Sequence, residues 1–207
     1  LGLEKIKMKN KLNIENYFAS PIGHSKLSFD LKEIETFCYH TKMIQEDGRN
    51  KSNRDGWQSL DLKFPNQITH VAQTITDACK SYYEAIGGNI KKYNTKLDNM
   101  WINLNPKNGY NIPHTHPHAF VSGVFYVKTP PKCGRIYFKH TCSYLEYDWR
   151  DSHFIKNTHD NRPYRFMNTE ANSLYIFPGW LEHGVEPNKS DEDRISLSFN
   201  VQLYENE

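Results

Sequence analysis

The chain has 207 residues, of which 37% are hydrophobic, and its 26 Lys and Arg against 24 Asp and Glu leave a formal net charge of +2. This balance, with no long block of one sign, does not indicate a nucleic-acid or membrane-surface partner. No apolar run approaches the roughly 20 residues of a membrane span. Since a membrane span is missing, we expect a soluble, cytoplasmic protein. The four cysteines include no CxxC pair, so we expect free thiols.

The length suits one ordinary domain. Because the chain does not begin with Met, we expect the residues before Met8 to be left over from an expression vector. We therefore treat 1–16 as an N-terminal tail and 17–207 as a single domain. Within it, residues 17–24 predict a short edge strand that Pro21 and Gly23 end.

Two stretches then have apolar residues at helical spacing. The first begins near Asp30, which is a good N-cap, and continues to Ile44. The second runs from 66 to 86 and is followed by the stop signal Gly87-Gly88. The polar stretch 46–62 between them predicts a loop, in which Trp57 either anchors the loop to the core or lines a pocket.

After the second helix the hydrophobic period changes from 3.6 to 2. Alternating or apolar runs predict strands at 100–104, around the histidines at 114–116, and at 121–127, 135–138, 173–177 and 194–203. Two helices followed by several short strands favour an antiparallel β-sandwich or barrel that is braced by helices on one side. The polar and aromatic stretch 139–172 predicts an irregular excursion with a short hairpin, of the kind that forms lids or binding loops.

Three histidines, His114, His116 and His118, stand two residues apart directly before an apolar strand. Since residues two apart on a strand point to the same face, His114 and His116 can direct their imidazoles at one metal ion. Pro117 interrupts the strand, so we expect His118 to lie in a turn. An HxH pair alone is a weak signal, because isolated histidines are more often surface or hydrogen-bonded groups. The best candidate for a third ligand is His183.

The last strand begins Arg-Ile-Ser, and alternation places Arg194 and Ser196 on one face. A guanidinium fork with a neighbouring hydroxyl is suited to binding a carboxylate. A metal site and a carboxylate receptor together indicate a small anion that chelates iron.

Seven segments stand in a specific order along the chain: SNRDGWQS (52–59), WINLN (101–105), HTHP (114–117), SGVFYV (122–127), GRIYF (134–138), FPGWLEHGVEP (177–187) and RISLSFN (194–200). On these segments the chain resembles the 2-oxoglutarate- and iron(II)-dependent oxygenases, and among them a group found in bacteria and marine phages. The resemblance implies a mainly β fold with supporting helices and a double-stranded β-helix, or jelly-roll, core. It also implies the cytoplasm of a bacterial cell or of a phage-infected host.

The resemblance implies roles for individual residues. His114 matches the first iron ligand of an HxD motif and His183 the distal histidine, while Arg194 and Ser196 match the pair that binds the far carboxylate of 2-oxoglutarate. Asn103 matches an asparagine that contacts this co-substrate. Further candidates for the same pocket are Tyr110 and Tyr126.

The chain departs from the family pattern at His116, where an aspartate is usual. Either three histidines bind the metal, or His116 supports the ligands from outside and water completes the set. A neutral imidazole leaves the iron centre one charge unit more positive than a carboxylate would, so the dianionic co-substrate would supply more of the compensating charge.

The resemblance implies a dioxygenase that uses Fe(II), 2-oxoglutarate and O2, hydroxylates a peptidyl or small-molecule substrate and releases succinate and CO2. Trp57 and Trp180 are candidates for substrate contact, and we expect residues 51–59 and 139–172 to flank the open end of the barrel. One alternative is a cupin-like protein with three metal-binding histidines and no 2-oxoglutarate, which has no reason to retain Arg194 and Ser196. Another is a jelly-roll binding module without enzyme activity.

Overall fold

The computed structural model describes residues 13–142, 145–156, 158 and 161–206, so most of the predicted tail lies outside the described residues. The helices are α1 (Leu31–Ile44), α2 (Thr69–Ala85) and the short α3 (Leu145–Asp148). The strands are β1 (Gly23–Lys26), β2 (Asn53–Arg54), β3 (Trp57–Gln58), β4 (Tyr93–Asn105), β5 (Tyr110–His114), β6 (Val121–Lys128), β7 (Ile136–Lys139), β8 (Tyr164–Met167), β9 (Ser173–Pro178), β10 (His183–Val185) and β11 (Arg194–Glu205). None of the described helices is long and apolar enough to cross a membrane.

Local signals set the ends of the two long helices. The Asp30 carboxylate caps α1 by accepting a hydrogen bond from the Lys32 amide at 3.0 Å, as its sequence position predicts. After α2, Gly87 has a φ of +89°, the left-handed conformation that glycine adopts without strain and that ends a helix.

The strands form two antiparallel sheets. A six-stranded sheet has the order β1-β9-β6-β11-β4-β3, and a five-stranded sheet has the order β2-β5-β10-β7-β8. The two sheets pack face to face, with Phe138 and Phe177 in contact across the gap at 5.0 Å between ring centroids. This arrangement confirms the predicted mainly β jelly-roll fold with supporting helices.

The six-stranded sheet separates two cores. On its outer face, Met100, Ile102 and Leu104 of β4 pack against α1 and α2. Burying such side chains stabilises the fold by about 1.5–3 kcal/mol each. Alternation sends Trp101 and Asn103 to the opposite face, into the space between the sheets. That inner space is therefore partly polar, and it contains the candidate site.

Three expectations need correction or refinement. The edge strand predicted at 17–24 forms at Gly23–Lys26 instead, where β1 pairs with β9, because Pro21 has no amide to donate. The polar loop 46–62 contains two short strands, β2 and β3, which pair with β5 and β4. The excursion 139–172 is framed by the paired strands β7 and β8 and contains α3 and a 3₁₀ turn. The four cysteines are free thiols, as predicted.

Candidate metal centre

The three predicted histidines come together at one end of the inner space. His114 ends β5, and His183 begins β10 directly opposite it in the ladder. His116 lies two residues beyond the end of β5, and its amide donates to the Gly179 carbonyl at 2.8 Å. One ligand atom from each of the three imidazoles lies within 4.8 Å of the others. The structure thus brings together the three histidines that the sequence analysis named.

The prediction that strand alternation directs His116 to the metal was wrong. Strand β5 ends at His114, so His116 does not reach the cluster by strand alternation. Its position is set by the loop and by the bond to Gly179. His118 lies in a turn with a φ of +70° and is exposed, as predicted.

Backbone carbonyls orient two of the imidazoles. The Nδ1 atom of His114 lies 2.8 Å from the Ile112 carbonyl oxygen, and that of His183 lies 2.9 Å from the Leu181 carbonyl oxygen. Because a carbonyl can only accept, each Nδ1 carries the proton and donates it. The lone pair of each ring is therefore on Nε2, which is free to bind a metal.

Burial keeps the three rings neutral. It lowers the pKa of His116 to about 4, with His114 as a second cause. Burial also lowers the pKa of His114, and that of His183 falls through burial and through its two histidine neighbours. Neutral imidazole is the form that binds metal ions, so the cluster does not need to lose protons at neutral pH.

A cavity extends from the histidines between the two sheets. One side of it is polar, since Asn103 donates through Nδ2 to the Ser198 hydroxyl at 2.9 Å, and its Oδ1 is buried without a partner among the described residues. Asn111 donates to the Ser52 hydroxyl at 3.3 Å. The other lining residues are Trp101, Gly123, Val124, Ile136, Phe177, Val185 and Ser196.

Arg194 is the largest fully buried side chain in the described part of the protein, with 1% exposure. Its Nη1 donates to the carbonyl oxygens of Cys133 and Glu186, and the second of these bonds measures 2.9 Å. Among the described residues, its Nη2 is buried without a partner, and no carboxylate forms an ion pair with the guanidinium. The buried Tyr126 hydroxyl also lacks a partner within the described residues.

These groups fit an anionic ligand. Burial disfavours the charged guanidinium and lowers the pKa of Arg194. Burial also raises the pKa of Tyr126, and the positive charge of Arg194 opposes that rise. Leaving a buried cation and a buried hydroxyl unpaired is costly. An iron(II) ion held by neutral imidazoles and a dianionic chelator that reaches Arg194 would meet both requirements, so the residues present fit iron and 2-oxoglutarate.

Two predicted site residues lie elsewhere. Trp57 is 8% exposed, packs in the core under the helices and donates from its indole to the Gln45 carbonyl at 2.8 Å. It therefore anchors its loop, and its proposed contact with substrate was wrong. Tyr110 starts β5 beside Tyr137 and does not line the cavity, whereas its neighbour Asn111 does. Trp180 is 56% exposed, in the turn between β9 and His183.

The lining residues that the sequence analysis did not assign to the site include Ser52, Trp101, Asn111 and Ser198. Ser198 could have been found, because it continues the alternating row of Arg194 and Ser196. Asn111 could not, because an irregularity in the register between β10 and β5 changes which residues of β5 face inward.

Both segments expected at the open end reach the histidine end. Ser52 lines the cavity, and its carbonyl accepts from the Ile112 amide at 3.0 Å. The excursion leaves β7 at Lys139, whose amide donates to Glu182 next to His183, and returns at Tyr164, the partner of Lys139 in β8. Residues 143, 144, 157, 159 and 160 of this excursion lie outside the described part.

Comparisons with known proteins agree with this geometry. Residues 99–200 match the family model described as "Putative 2OG-Fe(II) oxygenase". No protein of curated function matches the sequence.

Solved structures share the fold. A Pseudomonas putida prolyl-4-hydroxylase superposes with a TM-score of 0.60 at 17% identity, covering 87% of this chain and 92% of its own. A viral collagen prolyl hydroxylase from Paramecium bursaria Chlorella virus-1 gives 0.56 at 12%, covering 87% and 94%. A non-heme α-ketoglutarate-dependent epimerase from nogalamycin biosynthesis gives 0.63 at 13%, covering 88% and 78%.

Proposed function

We propose that this chain is a hydroxylase of the 2-oxoglutarate- and iron(II)-dependent oxygenases, whose family model matches residues 99–200, and that its iron is held by His114, His116 and His183. The family uses Fe(II), 2-oxoglutarate and O2. The single observation that carries the assignment of ligands is the cluster itself, since the three rings offer ligand atoms within 4.8 Å of one another.

The bound metal, with 2-oxoglutarate and O2, supplies the oxidising power that inserts one oxygen atom into a substrate C–H bond, while the other oxygen atom enters succinate as CO2 leaves. The protein's own residues bind, orient and exclude water. His114 and His183 present Nε2 because their Nδ1 protons are held by backbone carbonyls. Phe177, Val124 and Ile136 form the apolar part of the wall.

The co-substrate would lie between the metal and β11. Arg194 would bind its far carboxylate through the unpaired Nη2, with Tyr126 donating from its hydroxyl. Ser196 and Asn103 line the cavity at the histidines, and Ser196 belongs to the same strand as Arg194. Three neutral ligands leave the full charge of the metal uncompensated, so the two negative charges of 2-oxoglutarate provide the balance that a protein carboxylate provides in the usual triad.

We place a peptidyl substrate ahead of a free small molecule. Trp180, in the turn before His183, carries an exposed aromatic ring that suits contact with a peptide segment. Two of the structural neighbours are named as prolyl hydroxylases, which supports a proline-containing peptide. Release of succinate from a panel of proline-rich peptides, with small metabolites as the second arm, tests this choice.

A direct test of co-substrate binding is an anaerobic titration of 2-oxoglutarate into the iron-loaded protein, followed by the metal-to-ligand absorbance. Arg194→Met removes the guanidinium, and we expect it to weaken 2-oxoglutarate binding by about 2–5 kcal/mol, the range for losing one partner of a buried charge pair. Iron binding should survive, because Arg194 is not a ligand. Arg194→Lys keeps the charge but loses the fork, and we expect it also to weaken binding.

The matched control is Arg165→Met, which removes an exposed arginine on β8. It should bind 2-oxoglutarate as the wild type does. Unchanged affinity in Arg194→Met would remove the support for this co-substrate pocket and favour the cupin-like alternative.

A further inference from the structure

The His116 ring differs from the other two in what holds it. His114 and His183 each donate an Nδ1 proton to a backbone carbonyl two residues earlier. No side-chain hydrogen bond to the His116 ring is found among the described residues, and His116 also lies outside the strand. Its backbone is fixed by the bond to Gly179. Something else must set the orientation of the imidazole if it is to serve as a ligand.

Three rings pack against this imidazole. His114 meets it edge to face, with 5.0 Å between centroids and 61° between planes. His183 stacks on it with 5.2 Å between centroids and 12° between planes. Trp101 lies 5.8 Å away at 33°, and its indole is only 8% exposed. Since His114 and His183 are themselves clustered histidines, Trp101 is the ring from outside the cluster, among the described residues, that can limit rotation of the His116 ring.

The indole is in turn held on the side of the loop 46–62. The Arg49 guanidinium lies 5.7 Å from the centroid of the Trp101 ring and pairs with the Asp61 carboxylate. With the Gln58 amide oriented to satisfy its neighbours, its oxygen accepts from Trp101 Nε1 at 3.2 Å and from Arg49 Nε at 3.3 Å. The amide nitrogen then donates to Asn53 at 3.2 Å. The indole is thus fixed by a hydrogen bond, a cation and the surrounding core.

We propose that Trp101 is a positioning residue for His116, and that Arg49 and Gln58 hold Trp101 in place for this role. The proposal rests on the proposed function, in which His116 is a ligand. In place of the hydrogen bond that orients a typical metal-binding histidine, a packed indole confines the ring. Losing such a supporting group costs about 10- to 100-fold in metal affinity.

The test uses Co(II) as the probe, titrated anaerobically into the purified full chain and followed by its ligand-field absorption. Trp101→Leu removes the flat wall, and we expect a 10- to 100-fold weaker Co(II) affinity and an altered spectrum. Trp101→Phe keeps an aromatic wall and should recover most of the affinity and the spectrum. The control Tyr204→Leu changes an exposed ring near the C-terminal end of β11 that does not line the cavity, and it should bind as the wild type does.

Wild-type affinity and spectrum in Trp101→Leu would overturn the proposal. So would an equal loss in Trp101→Leu and Trp101→Phe that follows a drop in melting temperature, since that pattern describes a structural role. If Trp101→Leu does not fold, Arg49→Met provides the test, because it keeps the indole and removes the cation that holds it. We expect Arg49→Met to show a smaller loss in the same direction, and unchanged affinity there would count against the proposal.

His116→Ala, measured in parallel, distinguishes a wrong ligand set from a wrong role for Trp101. If it binds Co(II) with wild-type affinity and spectrum, His116 is not a ligand, and the proposed ligand set fails together with the role of Trp101. If it binds weakly while Trp101→Leu binds normally, the ligand set stands and only the role of Trp101 is wrong.

Discussion

His116 and His118 show how two neighbouring histidines can have opposite fates. The backbone of His116 is held by the bond from its amide to Gly179, and its ring joins the cluster. His118 lies in the turn with a positive φ, and its ring is exposed. Its backbone carbonyl accepts a hydrogen bond from the Gln202 side chain. A shared HxH spacing therefore does not imply a shared role.

We expect His116→Ala to lose iron and His118→Ala to retain it. Removing an imidazole from the cluster removes one ligand atom, whereas removing the exposed ring of His118 removes none. The measurement is iron per chain after anaerobic loading and desalting, with circular dichroism to check folding. Retention of iron by His116→Ala together with its loss from His118→Ala would mean that the wrong histidine has been chosen.

Strand β6 requires a glycine at position 123, because the neighbouring atoms leave no room for a Cβ. A Cβ added at Gly123 would lie 2.2 Å from the Phe199 ring and 2.5 Å from the Tyr175 carbonyl oxygen. The ring is packed in the core under the helices, and the carbonyl belongs to the neighbouring strand β9, so neither can move freely. Close packing of this kind makes an added methyl group costly.

Gly123→Ala is accordingly expected to lower the free energy of unfolding by about 1–3 kcal/mol, measured by urea denaturation at constant m. Ser25→Ala, at an exposed position of the edge strand β1, is the control and should change stability by less than about 0.5 kcal/mol. Equal stability of Gly123→Ala and the wild type would show that β6 and β9 can separate without cost.

The same elements show how far the sequence predicts this fold. Periodicity located α1, α2, β4, β6 and β11, because each has one face in a core and the other in a different environment. It missed β2 and β3, which are two residues long and exist only because distant strands pair with them. The family resemblance, and not periodicity, suggested Tyr110 for the pocket. Asn111 lines the cavity, and no local pattern predicts this because the irregular register of β5 with β10 depends on a partner strand. What local pattern cannot specify is register.

At the scale of the whole molecule, the site joins the two sheets. His114 and His183 belong to the five-stranded sheet, whereas Arg194 and Ser196 belong to the six-stranded one. A metal ion alone would contact only the histidine side. In the proposed arrangement 2-oxoglutarate also reaches Arg194, so it would connect the sheets through the space that separates them.

This connection predicts a stepwise effect on stability. We expect iron(II) or Co(II) to raise the melting temperature, and 2-oxoglutarate to raise it further in the metal-loaded protein. A ligand that binds only the folded state stabilises it by about 2.7 kcal/mol at a concentration 100-fold above its Kd. In Arg194→Met the increment from the metal should remain and the increment from 2-oxoglutarate should shrink, because the second contact point is lost. Anaerobic calorimetry of both proteins, with and without each ligand, measures the four increments. If Arg194→Met keeps the full rise in melting temperature on adding 2-oxoglutarate, the co-substrate is bound from the metal side alone. The Arg194 guanidinium of the six-stranded sheet would then have another partner.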